Sequence, residues 1–83
     1  MLTKQDVKRE SDWLKKCCLI SLFHSERTNG KKRPNKWKIV DTAKELDYST
    51  GYISEAILLS RHCDKVAECL NREAALVKLK NGS

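Results

Sequence analysis

The stretch that decides the fold runs from Ala43 to Ser54 and reads Ala-Lys-Glu-Leu-Asp-Tyr-Ser-Thr-Gly-Tyr-Ile-Ser. Its pattern predicts two short helices separated by a polar turn over residues 47–49, which is the spacing of a helix-turn-helix. Ala43 supplies the small side chain that is needed where the two helices cross. Leu46 is expected to fill the space below the turn, and Ile53 is expected to pack from the second helix onto the first.

Helical periodicity extends this motif in both directions. We predict a first motif helix over residues 39–46 and a second over residues 50–61. Ser49 has the side chain of a helix N-cap and directly precedes the second helix. Ile57 is expected to continue the buried row of that helix by one turn. The whole motif is therefore expected over residues 39–60.

The remaining segments complete a predicted all-α fold, a small bundle of four to five helices that contains the helix-turn-helix. The chain has 83 residues, which is the size of one domain. Thr3 can cap the first helix, whose charged first half we expect to project from the core, while Asp64 and Asn71 can cap two later helices. The expected segments are an N-terminal helix over residues 4–26, a basic loop over residues 27–36, and a helical tail over residues 64–80 with a short helix at 65–69.

The positive charge of the chain is concentrated in one segment. Lys and Arg number 17 against 11 Asp and Glu, which gives a formal net charge of +6. Between residues 27 and 38 there are basic residues and no acidic ones. Such a segment favours binding to a polyanion, and the alternative is a solvated loop without a partner. Its basic residues are Arg27, Lys31, Lys32, Arg33, Lys36 and Lys38.

The front of the second motif helix supplies the candidate base contacts. In a helix-turn-helix this end of the helix enters the major groove of DNA. The candidate base-facing residues are Ser49, Thr50, Gly51, Ser54 and Glu55. Glu55 could accept a hydrogen bond from a cytosine amino group.

Affinity, in contrast, is expected to depend on phosphate contacts, because no Lys or Arg lies between residues 49 and 59. For Tyr52 two roles stay open, a phosphate contact or packing. The candidate phosphate contacts are Lys31, Lys32, Arg33, Lys36, Lys38 and Tyr52.

Two adjacent leucines bear on the oligomeric state. Leu58 and Leu59 lie outside the face that carries Ile53 and Ile57, so the first helix, the tail or a second subunit must cover at least one of them. Because DNA sites for such motifs often have two-fold symmetry, a homodimer on double-stranded DNA is expected.

Other kinds of function find little support in the residues. No nucleophile motif is present, neither histidine has a carboxylate at a persuasive spacing, and the His and Cys residues lack a pair of metal-ligand spacing. We therefore expect no enzyme activity, no catalytic residue, no metal, no cofactor and no small-molecule substrate. The cysteines are expected to be free thiols, and the absence of a long apolar segment predicts no membrane partner.

The motif also resembles a known family. Residues 37–46 and 49–55, followed by Asn71-Arg72-Glu73-Ala74-Ala75-Leu76, resemble the helix-turn-helix of ParB/KorB-type partition proteins and related phage and plasmid DNA-binding proteins. The resemblance covers residues 37–79 and implies sequence-specific binding to double-stranded DNA, in transcription regulation or plasmid partition. It implies a cytoplasmic, nucleoid-associated protein. The nucleotide-binding domain of that family has no counterpart here, so CTP binding is not expected.

The chain departs from this family pattern at Asp47, where glycine is usual because the residue that closes the first helix often has a left-handed conformation. Aspartate tolerates that conformation better than most residues. We therefore expect Asp47 to be left-handed.

Two other functions remain open at this point. The bundle could be a protein–protein interaction module that presents its charged first helix. It could also be an RNA-binding adaptor, which would need exposed aromatic rings for base stacking. Trp13, Trp37 and Tyr48 are the candidates for such rings, and Trp37 is more readily expected to seal the core.

Overall fold

Six helices follow one another along residues 2–28 and 37–81, the part of the chain that the computed structural model describes. Helices account for 76% of these residues and no strand occurs among them, which confirms the all-α prediction. None of the helices described is long and apolar enough to cross a membrane. The helices are α1 (Lys4–Arg9), α2 (Trp13–Thr28), α3 (Ile39–Leu46), α4 (Thr50–Arg61), α5 (Cys63–Val66) and α6 (Arg72–Lys80).

The first predicted helix is divided into α1 and α2, so a single helix over residues 4–26 is wrong. α1 begins as expected, with the Thr3 side chain and the Asp6 carboxylate capping each other's backbone N–H groups. The helix ends at Glu10, whose backbone is extended. Asp12 then starts α2, because its Oδ1 accepts a hydrogen bond from the Leu14 N–H at 3.0 Å.

The charged first helix does not project from the bundle as predicted. Val7 is completely buried, and α1 packs against α2 and α3. Burying a valine side chain stabilises the fold by about 1.5–3 kcal/mol, which offsets part of the cost of ordering a short helix that could not persist alone. The break after Arg9 lets α1 turn back onto the core.

The core lies mainly between α2 and α4, the two longest helices. Each contributes residues spaced three apart, so that one stripe of each helix is buried. The aligned side chains exclude solvent completely or nearly so: Cys17, Ile20 and Phe23 from α2, and Ile53, Ala56 and Leu59 from α4.

The helix-turn-helix has the predicted helix boundaries. Asp47 is the only non-glycine residue with positive φ in the described ranges, at φ 61°, as expected for the residue that closes α3. The Tyr48 N–H then donates to the Ala43 carbonyl at 2.9 Å. Ser49 caps α4, since its Oγ accepts from the Tyr52 N–H at 3.1 Å. Ala43 is also buried, together with Leu46 and Ile53.

The buried row of α4 has a different phase from the prediction. Ile57 packs on the core only partly buried, while Ala56 and Leu59 are fully buried. Both α2 and α3 pack against α4, and the buried positions of α4 include Ala56 and Leu59 as well as Ile53. Of the two adjacent leucines, Leu59 is covered within the chain, whereas Leu58 is 42% exposed.

The helical tail also differs from the sequence prediction at its start. α5 spans Cys63–Val66 with His62 at the N-cap position, so Asp64 lies inside the helix and does not cap it. α6 begins as predicted, with Asn71 Oδ1 accepting from the Ala74 N–H at 2.9 Å. Val66 of α5 and Ala75 of α6 are the fully buried residues of this tail.

Candidate nucleic-acid interface

The front of α4 presents a polar surface that packs against no other helix. Thr50, Gly51 and Ser54 are all exposed, while Ile53, Ala56 and Leu59 bury the other side of the same helix. Ser49 is exposed as well, with its hydroxyl engaged as the N-cap. The structure therefore brings together four of the five residues predicted to face DNA bases.

Gly51 has no structural requirement for glycine. A Cβ atom built at this position meets nothing within 4 Å, and its φ lies outside the range that disfavours side chains. Glycine within a helix costs about 1 kcal/mol relative to alanine. Packing within the described residues therefore does not account for a glycine at this site.

Glu55, the fifth predicted base contact, is engaged within the protein. Its Oε1 accepts a hydrogen bond from Arg72 Nη2 at 2.5 Å, and its side chain is 40% exposed. Arg72 also contacts the Tyr52 carbonyl at 3.5 Å. The carboxylate lies beside the exposed front of α4 with its charge compensated, and the arginine that compensates it comes from α6.

Tyr52 packs against aromatic and cationic neighbours. Its ring stacks on that of Tyr48 with the centroids 4.4 Å apart, and the Arg72 guanidinium lies 4.2 Å from its centroid. Lys8 Nζ lies over the other ring of the stack, 4.1 Å from the Tyr48 centroid. Burial, with a smaller contribution from Tyr48, raises the pKa of Tyr52. We name these four side chains, Lys8, Tyr48, Tyr52 and Arg72, the aromatic column.

A buried hydroxyl anchors the chain just after the basic segment. Thr42 Oγ1 accepts from Trp37 Nε1 at 2.6 Å and bonds His24 Nδ1 at 2.6 Å, while Thr42 itself is fully buried. Burial lowers the pKa of His24, which favours a neutral ring as the partner of the hydroxyl. Trp37 is partly buried, and this bond fixes it between α2 and α3.

Lys38 is exposed at the start of α3, next to this anchor. Its backbone N–H donates to Asp41 Oδ2 at 2.8 Å, so the side chain is not needed for capping. The other predicted phosphate contacts, Lys31, Lys32, Arg33 and Lys36, lie outside the described residues.

Arg27 does not belong to the basic loop as predicted. It lies in the last turn of α2. Its Nη2 donates to the Leu2 carbonyl at 3.2 Å, and its guanidinium carbon lies 3.4 Å from the centroid of the Phe23 ring. Arg27 therefore holds the N-terminus on α2, and the predicted start of the loop at residue 27 is wrong.

Sequence analysis missed two residues of the exposed α4 surface. Leu58 follows Ser54 by one turn, and Arg61 follows it by about two turns, so all three share one stripe of the helix. Leu58 is 42% exposed, and Arg61 is exposed at the last position of α4. From the sequence, Leu58 is only a residue that the bundle or a second subunit must cover. Following the stripe of Ser54 to the end of α4 adds both residues to the candidate surface, and Arg61 brings a positive charge to it.

α1 is tied to the turn of the motif by an ion pair. Lys4 Nζ bonds the Asp47 carboxylate, and this contact holds the pKa of Asp47 below its ordinary value. The left-handed residue of the turn is therefore fixed both by its backbone and by its side chain.

A second surface is an open groove between α2 and α5, lined also by the connection before α2 and by residues 67–70 after α5. Its lining is largely apolar and includes Leu22, 50% exposed, and Leu70, 91% exposed. Cys18 and Cys63 also line it as exposed free thiols. In the described part of the chain no group of His, Cys, Asp and Glu side chains is arranged to hold a metal ion.

Searches against protein-family models, curated proteins and solved structures found no match to this chain. The resemblance of residues 37–79 to ParB/KorB-type motifs therefore stays a prediction from the residues themselves.

Proposed function

We propose that this chain binds double-stranded DNA in a sequence-specific manner through α3 and α4. The observation that carries the proposal is the exposed front of α4, where Thr50, Gly51 and Ser54 lie free of packing after a turn of helix-turn-helix geometry. A helix in this setting presents its N-terminal residues to base edges in the major groove. In this proposal the chain is a binding protein and not an enzyme.

The two components of binding come from different segments. Short polar side chains on α4 contact base edges and give specificity, while cationic side chains contact phosphates and give most of the affinity. Lys38 at the start of α3 and Arg61 at the end of α4 are two of the exposed cations of the described motif, and we assign phosphate contacts to them. The lysines and arginine of residues 31–36 are proposed to add to them.

The proposal also includes the biological setting inferred from the resemblance. The chain would act as a homodimer on a two-fold DNA site, as a plasmid or phage regulator or a partition-like protein associated with the nucleoid. The stoichiometry of the DNA complex, measured by sedimentation, tests the homodimer separately from DNA binding.

The experiment that tests the proposal is selection of bound duplexes from a random library, followed by sequencing. We expect enrichment of one site, and a loss of discrimination in Ser54→Ala. Ser11→Ala is the matched control, because Ser11 is also an exposed serine and lies on the connection between α1 and α2. If no duplex is enriched, or if both variants select the same site as the parent, the proposal fails.

A protein–protein interaction module is the second candidate. The observation that favours it is the apolar groove between α2 and α5, with its exposed leucines. Retention on random duplex DNA separates the two proposals, since a DNA-binding protein elutes at a concentration of salt that depends on its phosphate contacts. A chain that is not retained at low salt would favour the interaction module.

A further inference from the structure

Leu58 is an apolar side chain in the middle of a polar, exposed stripe of α4. It lies between Ser54 and Arg61 on the same side of the helix, and it remains 42% exposed. Its neighbour Leu59 is fully buried, whereas Leu58 belongs neither to the buried core nor to the partly buried residues packed against it. The exposure of this leucine is thus a property of the surface that we propose to face DNA.

Only one base presents an apolar group in the major groove. Thymine carries a 5-methyl group there, whereas the other base edges present donors and acceptors. A leucine side chain placed against those polar edges would remove their water without replacing its hydrogen bonds. The chemistry of Leu58 therefore matches a thymine methyl group and no other feature of the groove.

The position along α4 also suits such a contact. Leu58 lies about 6 Å beyond Ser54 and about 12 Å beyond Thr50 along the helix axis, given a rise of 1.5 Å per residue. Successive base pairs are about 3.4 Å apart, so the Leu58 contact falls roughly two base pairs from that of Ser54. A helix lying in the groove can make both contacts at once.

We propose that Leu58 contacts the 5-methyl group of a thymine in the major groove and makes the chain select thymine at one position per bound subunit. This inference rests on the proposed function and names one base of its target. It does not depend on the basic segment, on the homodimer, or on Glu55.

Substitution of single thymines by deoxyuridine tests the contact, because deoxyuridine lacks only the methyl group. The probe is the duplex selected from the random library, with each thymine replaced in turn. At one thymine per subunit we expect deoxyuridine to weaken binding of the parent protein about fourfold, the value of one buried methyl group. In Leu58→Ala the same replacement should have no effect, because the partner of the methyl group is gone.

Leu70→Ala is the matched control. It makes the same chemical change at a leucine that is 91% exposed and lies outside α4, so it should keep the fourfold effect. Sedimentation of both variants checks whether either changes the oligomeric state.

Three results would overturn the inference while leaving DNA binding intact. They are a selected site at which no thymine responds to deoxyuridine, a Leu58→Ala variant that keeps the full response, and a uniform loss of affinity in Leu58→Ala that accompanies dissociation of a dimer. Failure to enrich any duplex is a different result, since it refutes the proposed function itself.

Discussion

Arg72, the first residue of α6, holds the carboxylate of Glu55 on α4 in an ion pair of 2.5 Å. The two residues are far apart in the sequence, yet the guanidinium also covers the ring of Tyr52 in the turn before Glu55. The C-terminal helix thus sets the charge of the proposed DNA surface. A lone carboxylate there would repel phosphates, and the pair removes most of that repulsion.

Substitutions in this pair are expected to act in opposite directions on DNA binding. Arg72→Gln leaves the Glu55 carboxylate uncompensated and should weaken binding to every duplex. Glu55→Gln frees the charge of Arg72, so it should strengthen binding to random DNA and lower discrimination at one base pair by about 1–3 kcal/mol. Affinities for the selected and random duplexes, measured at one salt concentration, check both results.

The control for this pair is Arg9→Gln, which removes an arginine from the exposed pair with Asp6 on α1. It should leave both affinities unchanged. Full discrimination at every base pair in Glu55→Gln would show that Glu55 contacts no base.

Gly51→Ala should stabilise the fold and impair binding at the same time. A methyl group at this position meets no neighbour within 4 Å, so the helix gains about 1 kcal/mol in its free energy of unfolding. The same methyl group would obstruct a close approach of DNA to the backbone. Urea unfolding and DNA affinity, measured on one preparation, give both values. A stabilised variant with unchanged affinity would place Gly51 outside the interface.

Ala43→Leu tests the crossing of the motif helices. Ala43 is 3% exposed, and a larger side chain there should overpack the contact and cost about 1–3 kcal/mol of stability. Ala74→Leu is the control, because Ala74 is exposed on α6 and its replacement should change stability little. Urea unfolding that is identical for parent and Ala43→Leu would contradict the helix-turn-helix packing.

The basic segment should determine the salt dependence of binding. Replacing Lys31, Lys32 and Lys36 by alanine is expected to flatten the slope of log affinity against log salt by about 2.7 per subunit, at about 0.9 per phosphate contact. The control replaces three exposed lysines elsewhere, Lys15, Lys65 and Lys80, and leaves the same net charge. Equal slopes for the two triple variants would mean that the segment acts only through the net charge.

His24 should make stability depend on pH below neutrality. Burial lowers its pKa from 6.5, so the unfolded chain takes up the proton at a higher pH than the folded chain does. Stability is therefore fully present above about pH 6.5, the ordinary pKa of histidine, and falls as the pH drops below it. Urea unfolding at about pH 7.5 and about pH 5.5 should show this loss in the parent and in His62→Gln, and a smaller loss in His24→Gln. The same loss in all three proteins would assign it to other groups.

The features that the sequence predicted well are those specified by neighbouring residues. Ser49 caps a helix that starts at the next residue, and Asp47 closes one through its own backbone conformation. Asn71 likewise caps the start of α6. Such signals depend on hydrogen bonds between residues three or four apart, so they do not depend on how distant segments pack.

The features that it missed depend on contacts between distant segments. The helical period continues from α1 into α2 and hides the break after Arg9, although Asp12 caps α2 locally. The break becomes evident only with the packing of α1, in which Val7 is buried. Likewise, the charge of Arg27 matches that of the residues that follow and favours a loop, while its actual partner is the Leu2 carbonyl. The Arg72–Glu55 pair could not be inferred at all without the packing of α6.

The aromatic column joins four separate parts of the chain: α1 through Lys8, the turn through Tyr48, α4 through Tyr52, and α6 through Arg72. The first and last helices therefore each place a cation against one ring of the stack, Lys8 on Tyr48 and Arg72 on Tyr52. Opening the turn would expose the faces of both rings and release both termini together. If these contacts couple the motif to the ends of the chain, amide hydrogens of α4 are expected to exchange with solvent through unfolding of the whole bundle and not through local fraying.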